Sequence, residues 1–314
     1  MRRVVVELKQ LSADIISTTV SLFKVMIPMI ILIKIVEELG GVTLLGDWLA
    51  PFMDTLGLPS SVALVWATTM LTNLYAGLLV LINTDVSLTV AQVTVLSSLL
   101  LISHSLPIEG VISKKAGVPM WVILLLRVGG GVLFAWLQHV YYTSTASNQH
   151  IAPILWKNEP PVYASYGDWA IGQVESLLTI FLVISVLIVV IRLLKLLRIE
   201  HLMAFVLQPL LKLLQVSKEA TNLAIIGITL GLSYGGGLII NETKKGNLTA
   251  KDALITVMLL NLLHSIVEDT VLVLLLGADL NMVLWARIVF AICVMAIISQ
   301  VYTFVVSRAK QVDK

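Results

Sequence analysis

Charge is what this sequence has least of. Asp, Glu, Lys and Arg make up only 13% of its 314 residues, against roughly a quarter in soluble domains. That shortage excludes a chain that covers itself with ionised side chains in water. Cysteine is nearly absent too. The single Cys293, inside an apolar run, excludes an intramolecular disulfide and a cysteine-rich metal centre. The five histidines are scattered, without the spacing of a zinc-ligand set. The first residues mix charge with Val4, Val5, Leu8, Leu11 and Ile15 and have no small-residue cleavage site, so they read as an interfacial helix entering a first span, not a signal peptide.

What is present is apolar surface. Hydrophobic residues make up 58% of the chain and the mean hydropathy is +0.97. Apolar runs lie at 25–36, 62–82, 90–112, 120–140, 177–194, 223–240, 253–276 and 283–305, several of them near the ~20 residues that cross a bilayer. The fold class is therefore all-α and polytopic. Two shorter stretches, 44–56 and 202–214, are interrupted by Pro51 and Pro209 and read as interfacial helices.

The sequence is also written twice. A gapless shift of about 160 residues lays His104-Ser105 on His264-Ser265, Gly77 on Gly237, Thr89 on Thr249, Glu109 on Asp269 and Arg127 on Arg287. A slightly shorter shift lays Lys34 on Arg192 and Pro51 on Pro209. The one long polar connection, 144–169, divides a first repeat, 1–150, from a second, 151–314. Thr89 with Gln92, and Thr249 with Asp252, fall where capping residues would open matching helices.

The second run of each half carries a break: Asn73-Leu74-Tyr75-Ala76-Gly77 in one, Ser233-Tyr234-Gly235-Gly236-Gly237 in the other. Each is either a flexible full span or a re-entrant hairpin turning at its glycines, and charge placement chooses between them, because cytoplasmic flanks collect Lys and Arg. With two hairpins and a cytoplasmic N-terminus, only Lys157 falls outside, while Lys24, Lys34, Arg127 and Arg287 lie in or near the membrane. Every other Lys and Arg is cytoplasmic, Lys115, Arg198 and Lys244 among them. If the runs cross fully, Lys114, Lys115, Arg192, Lys195, Arg198, Lys212 and Lys218 move outside. The hairpin arrangement wins. It leaves three crossings per half, hence an inverted repeat of six full spans plus two hairpins, with both termini cytoplasmic.

Inversion brings the hairpin tips and the His-Ser breaks to similar depth, where inverted-repeat transporters hold their substrates. His104-Ser105-Leu106-Pro107 should break its helix, since proline removes a donor and clashes with the preceding turn. Ionisable groups at that depth are functional candidates. The expected substrate or ion site comprises Asn73, Tyr75, His104, Ser105, Glu109, Ser233, Tyr234, His264, Ser265, Glu268 and Asp269. Glu268, four residues after His264, should share its helical face; Glu109 and Asp269, five residues after their histidines, need not. A blander role remains open for these carboxylates, as local caps or interfacial salt bridges. Arg127 and Arg287 either pair with Glu109 and Asp269 to fix helix packing or bind an anionic solute bidentately. Packing is the expectation adopted here.

Ser103-His104-Ser105-Leu106-Pro107-Ile108-Glu109, the glycine turn at Ser233–Gly237 and Leu262-Leu263-His264-Ser265 resemble the nucleoside-recognition, or Gate, domain family of bacterial integral membrane proteins. The resemblance covers most of the chain in two copies. It implies a core of hairpins and broken helices and a role in transport or gating. The domain is similar to parts of concentrative nucleoside transporters and ferrous-iron transporters. The GTP-binding module of the latter is missing, because no Gly-rich loop ends in Lys-Ser/Thr.

The function expected is ion-coupled secondary transport, driven by protons or sodium, of a small polar or anionic solute that the resemblance makes nucleoside-like. Two alternatives stand beside it. One is a divalent-cation permease, since His104, Glu109, His264 and Glu268 offer nitrogen and oxygen ligands. The other is a non-transporting membrane scaffold. No enzyme is expected, for no nucleophile and base stand in a working spacing. Nor is a resident cofactor or a nucleic-acid partner. The lipid bilayer and, by analogy, a second copy of the chain complete the expected partners.

Overall fold

A computed structural model describes residues 2–154, 165–197 and 199–312. Lys157, Pro160, Pro161, Arg198 and Lys314 lie outside them. So do the side chains of Ser233, Lys195 and Lys212, and those at both chain ends. The described chain is helical nearly throughout, as apolar surroundings require. Without water, each backbone N–H and C=O must find its partner within the segment.

The helices follow one another in the same order twice. In the first half they are α1 (Arg2–Glu38), α2 (Gly41–Thr55), α3 (Ala63–Leu71), α4 (Leu74–Ile82), α5 (Val90–Ser103) and α6 (Leu106–Lys115), followed by α7 (Met120–Leu124) and α8 (Gly130–Thr145). In the second they are α9 (Tyr166–Leu196), α10 (Ile199–Lys212), α11 (Lys218–Leu230), α12 (Leu232–Lys244), α13 (Ala250–Leu262), α14 (Ile266–Leu274) and α15 (Arg287–Val312). A π-helical stretch, Leu125–Gly129, joins α7 to α8, and another, Asn281–Ala286, leads into α15.

Among the described residues, five helices are long and apolar enough to cross a membrane, or up to seven if each bent pair counts as one span. The α5–α6 pair bends by only 41° and reads as one broken span. Between α2 and α3 the bend is 109°, and α3 then folds back on α4 instead of continuing. Burial sorts the spans. The window in 250–274 is 72% buried, that in 166–194 only 22%. Thus α13–α14 runs through the centre, whereas α9 turns Leu178, Leu182 and Leu193 outward, as lipid contact asks.

Two sequence expectations hold at residue level. Thr89 and Thr249 each accept a hydrogen bond from the backbone N–H three residues on, and Gln92 and Asp252 reach back to close reciprocal capping boxes. A third needs correcting. Gly77, Gly235, Gly236 and Gly237 are not the hairpin turns; all four sit inside the returning helices α4 and α12. The chain reverses one turn earlier, at Thr72-Asn73 and at Gly231, whose φ of +94° only glycine adopts freely. The glycines serve close approach instead. A Cβ on Gly77 would run into the Thr69 side chain, and one on Gly235 into the Gly227 backbone. Small residues let the two arms of each hairpin touch without lipid or side chains between them.

The two halves share their interior. One apolar cluster joins Trp66, Leu79 and Leu101 to Ile184, Leu187 and Leu272. The other joins Ile102, Ile123 and Phe134 to Ile228, Leu260 and Met295.

Candidate functional site

At the heart of the molecule two helices stop and restart in the same way. Between α5 and α6, and between α13 and α14, a serine in the left-handed region makes the break: Ser105 at φ 53°, Ser265 at φ 46°. Pro107 lies in the first turn of α6, where its missing N–H costs nothing. The second break forms without a proline.

Each break is docked on a hairpin tip. Ser105 donates its N–H to the Thr69 carbonyl at 3.0 Å and its hydroxyl to the Thr72 carbonyl at 2.8 Å. The α3 end leaves such carbonyls unpaired. In the other half Ser265 Oγ stands 2.8 Å from where a Gly231 Cβ would be. That tip therefore needs glycine for space as well as for φ.

A guanidinium closes the end of each interrupted helix. Arg127 donates Nε–H to the Ile102 carbonyl (2.8 Å) and Nη2–H to the His104 carbonyl (2.6 Å), and its Nη1 grips Glu109. Arg287 repeats the pattern on the Leu262 (3.1 Å) and His264 (3.5 Å) carbonyls, and it reaches Leu101 of the first half at 3.2 Å. Both side chains are 0% exposed. The last carbonyls of a helix are its negative end, so a cation there satisfies hydrogen bonding and dipole at once. Arg127 sits within one π-helical stretch and Arg287 directly follows the other. Such a bulge shifts the register of all that follows it. Both arginines thus hold helix ends in place. The expected ion pair forms in the first half only, because Arg287 makes none with Asp269 or any other described residue.

Between these anchors the two histidines meet. His104 Nε2 and His264 Nε2 lie 3.0 Å apart, although 160 residues separate them. Each Nδ1 faces the carbonyl four residues back, Leu100 at 3.2 Å and Leu260 at 2.6 Å. A carbonyl can only accept, so Nδ1 carries the hydrogen in both rings, and when neutral each Nε2 offers a lone pair to the centre. Glu109 Oε1 lies 3.1 Å from His264 Nε2 and 3.6 Å from His104 Nε2. Asp269 Oδ2 is 3.9 Å from His104 Nε2 and, though buried, has no hydrogen-bond partner.

The remaining candidates divide. Tyr75 on α4 donates its hydroxyl to Glu268 Oε1 on α14 at 3.0 Å, tying the first hairpin to the second broken helix. Glu268 therefore does not share the face of His264. The break at Ser265 ends the helical register on which that expectation relied, and Asp269 takes the inward position. Asn73 caps α4, accepting from the Ala76 N–H at 2.9 Å. Tyr234 is 56% exposed and stands apart. Sequence reasoning did not find the carbonyls of Thr69, Thr72 and Leu101, nor the π-helical stretches, and backbone groups leave no residue-type signal.

No family model matches the chain, and no solved structure does. It is similar to the uncharacterized membrane protein YvoD of Bacillus subtilis (strain 168), 26% identical over 287 residues that cover 88% of each chain. Helical content, candidate spans and this likeness together identify a multi-pass, all-α membrane protein.

Proposed function

We propose that this chain is a membrane transport protein whose ion site is the His104–His264 junction, the expected coupling or cargo ion binding where the two broken helices meet. One observation carries the reading. Two histidines from matching places in the two copies present their free nitrogens to one point at 3.0 Å, with a carboxylate beside them. Polar groups are costly at membrane depth, and interrupted backbone is tolerated there only around protein or an enclosed polar space. Discontinuous helices facing each other across a repeat are how secondary transporters build such a space, and the Gate-domain resemblance points the same way. The reading takes the halves as inverted, with both hairpins entering from opposite faces.

Uptake into proteoliposomes across a panel of protons, sodium, divalent metals, nucleosides and small organic anions tests it. His104→Gln and His264→Gln should each lower the responsive flux by roughly 10-fold or more, since loss of even a ligand's outer hydrogen-bond partner costs about that much. Unchanged flux in both variants would remove the site. A second reading, an anionic solute, is favoured by Arg287 Nη1, a buried guanidinium nitrogen with no hydrogen-bond partner. In that case Arg287→Met abolishes anion uptake and leaves cation flux intact. For topology, single cysteines at the exposed Lys115 and Lys244, in a Cys293→Ser background, should label only from the cytoplasmic side.

A further inference from the structure

The geometry points to a divalent transition-metal site formed by His104 Nε2, His264 Nε2 and Glu109 Oε1, with Asp269 Oδ2 as the fourth donor. This deepens the transport reading by naming the ion, and it rests on that reading for its role. Three distances define the site: 3.0 Å between the two nitrogens, and 3.1 and 3.6 Å from them to the carboxylate oxygen. A point exists about 2 Å from all three atoms, slightly out of their plane, and ~2.0–2.2 Å is the length of zinc–nitrogen and zinc–carboxylate bonds. Three corners of a tetrahedron are in place.

The surroundings are those of ligands. Each histidine donates its other ring N–H to a backbone carbonyl, which fixes the tautomer with Nε2 free. The second oxygen of Glu109 is held by Arg127, so Oε1 is aimed. Metal-bound imidazoles and carboxylates are oriented by partners of this kind. Without a cation, two lone pairs would face each other at 3.0 Å in a buried place. A shared proton would answer that repulsion alone. It would leave Asp269 Oδ2 bare, 3.9 Å from His104 Nε2 and with no hydrogen-bond partner. A metal ion held by the other three atoms would let Asp269 Oδ2, 3.9 Å from His104 Nε2, close in as the fourth donor. Two carboxylates and two neutral imidazoles bring a charge of −2 to a divalent ion, while Arg127 and Arg287 face the site from behind, and Glu268 is engaged by Tyr75. Two nitrogens among four donors favour zinc, cobalt or iron over magnesium and calcium, which prefer oxygen.

Purified full-length protein, stripped with chelator in detergent, is titrated with Co2+ and followed by its visible ligand-field bands. The wild type should take up one equivalent with the intense bands of four-coordinate cobalt, and Zn2+ should displace it. His264→Gln should abolish the bands. Asp269→Asn, which changes no hydrogen bond of Oδ2, should weaken binding by roughly 10–100-fold while the protein stays monodisperse. That variant keeps the test decisive if the histidine variants fail to fold. Wild-type protein that takes up no more Co2+ or Zn2+ than a His104→Gln/His264→Gln double variant overturns the assignment. Proton- or sodium-driven uptake by such metal-free protein would overturn it too, while sparing the transport reading.

Discussion

Arg127→Met is expected to destabilise the detergent-solubilised protein by about 3–5 kcal/mol, the usual consequence of leaving a buried charge without its partner. The Arg127 guanidinium is 0% exposed and serves three acceptors, the carbonyls of Ile102 and His104 and the Glu109 carboxylate. Methionine fills much of the volume but meets none of them. Glu109, 8% exposed, would remain as a buried anion with only the two imidazoles beside its other oxygen. Adding Glu109→Gln should recover part of the loss, because a neutral amide costs less to bury than a carboxylate. Arg287→Met should be milder, since Arg287 makes no ion pair with the described residues and one of its nitrogens is unpaired. Thermal unfolding followed by size-exclusion fluorescence orders the four proteins. A single Arg127 variant melting with the wild type would mean that the Glu109 clasp is not formed.

Gly235→Ala should disrupt the second hairpin, whereas Gly237→Ala, two residues along the same helix, should be tolerated with a slight gain in stability. Both substitutions offer the same intrinsic gain, for alanine favours a helix over glycine by about 1 kcal/mol. Only their surroundings differ. A Cβ on Gly235 overlaps the Gly227 Cα and comes within 3.2 Å of its nitrogen, and backbone cannot step aside as a side-chain end can. A Cβ on Gly237 meets nothing within 4 Å. Overpacking costs about 1–3 kcal/mol, enough to outweigh the helical gain at Gly235 and separate α11 from α12. Melting temperatures and hydrogen exchange across residues 218–244 measure the contrast. Equal behaviour of the two variants would mean that the hairpin arms do not touch.

Much of this architecture was legible because the chain states it twice. A helix break at His264 without a proline is hard to credit alone, but its alignment with His104-Ser105-Leu106-Pro107 makes it readable. Arg127 and Arg287 were legible for the same reason, and so were the capping threonines. What misled was local ambiguity. Glycine signals both reversal and close contact, and the cluster at 235–237 looked like a turn when the turn was the lone Gly231. Glu268 was placed by counting along a continuous helix, and one serine in the left-handed region cancels that count. The meeting of the histidines needed more than depth. The π-helical stretches at 125–129 and 281–286 set the register of the arginines, which cap the ends from which the imidazoles project. Nothing in residue type announces a hydrogen bond lengthened by one residue.

The junction draws one imidazole and one carboxylate from each copy, and that has a consequence for how the gene can tolerate damage. A repeated protein would ordinarily be expected to carry a spare. On the proposed site neither half contains a complete set of donors, so doubling gives no redundancy, and a lesion in either copy should silence both. Severing the chain in the linker between the halves should therefore yield two fragments that are inert apart and competent only when produced together in one membrane.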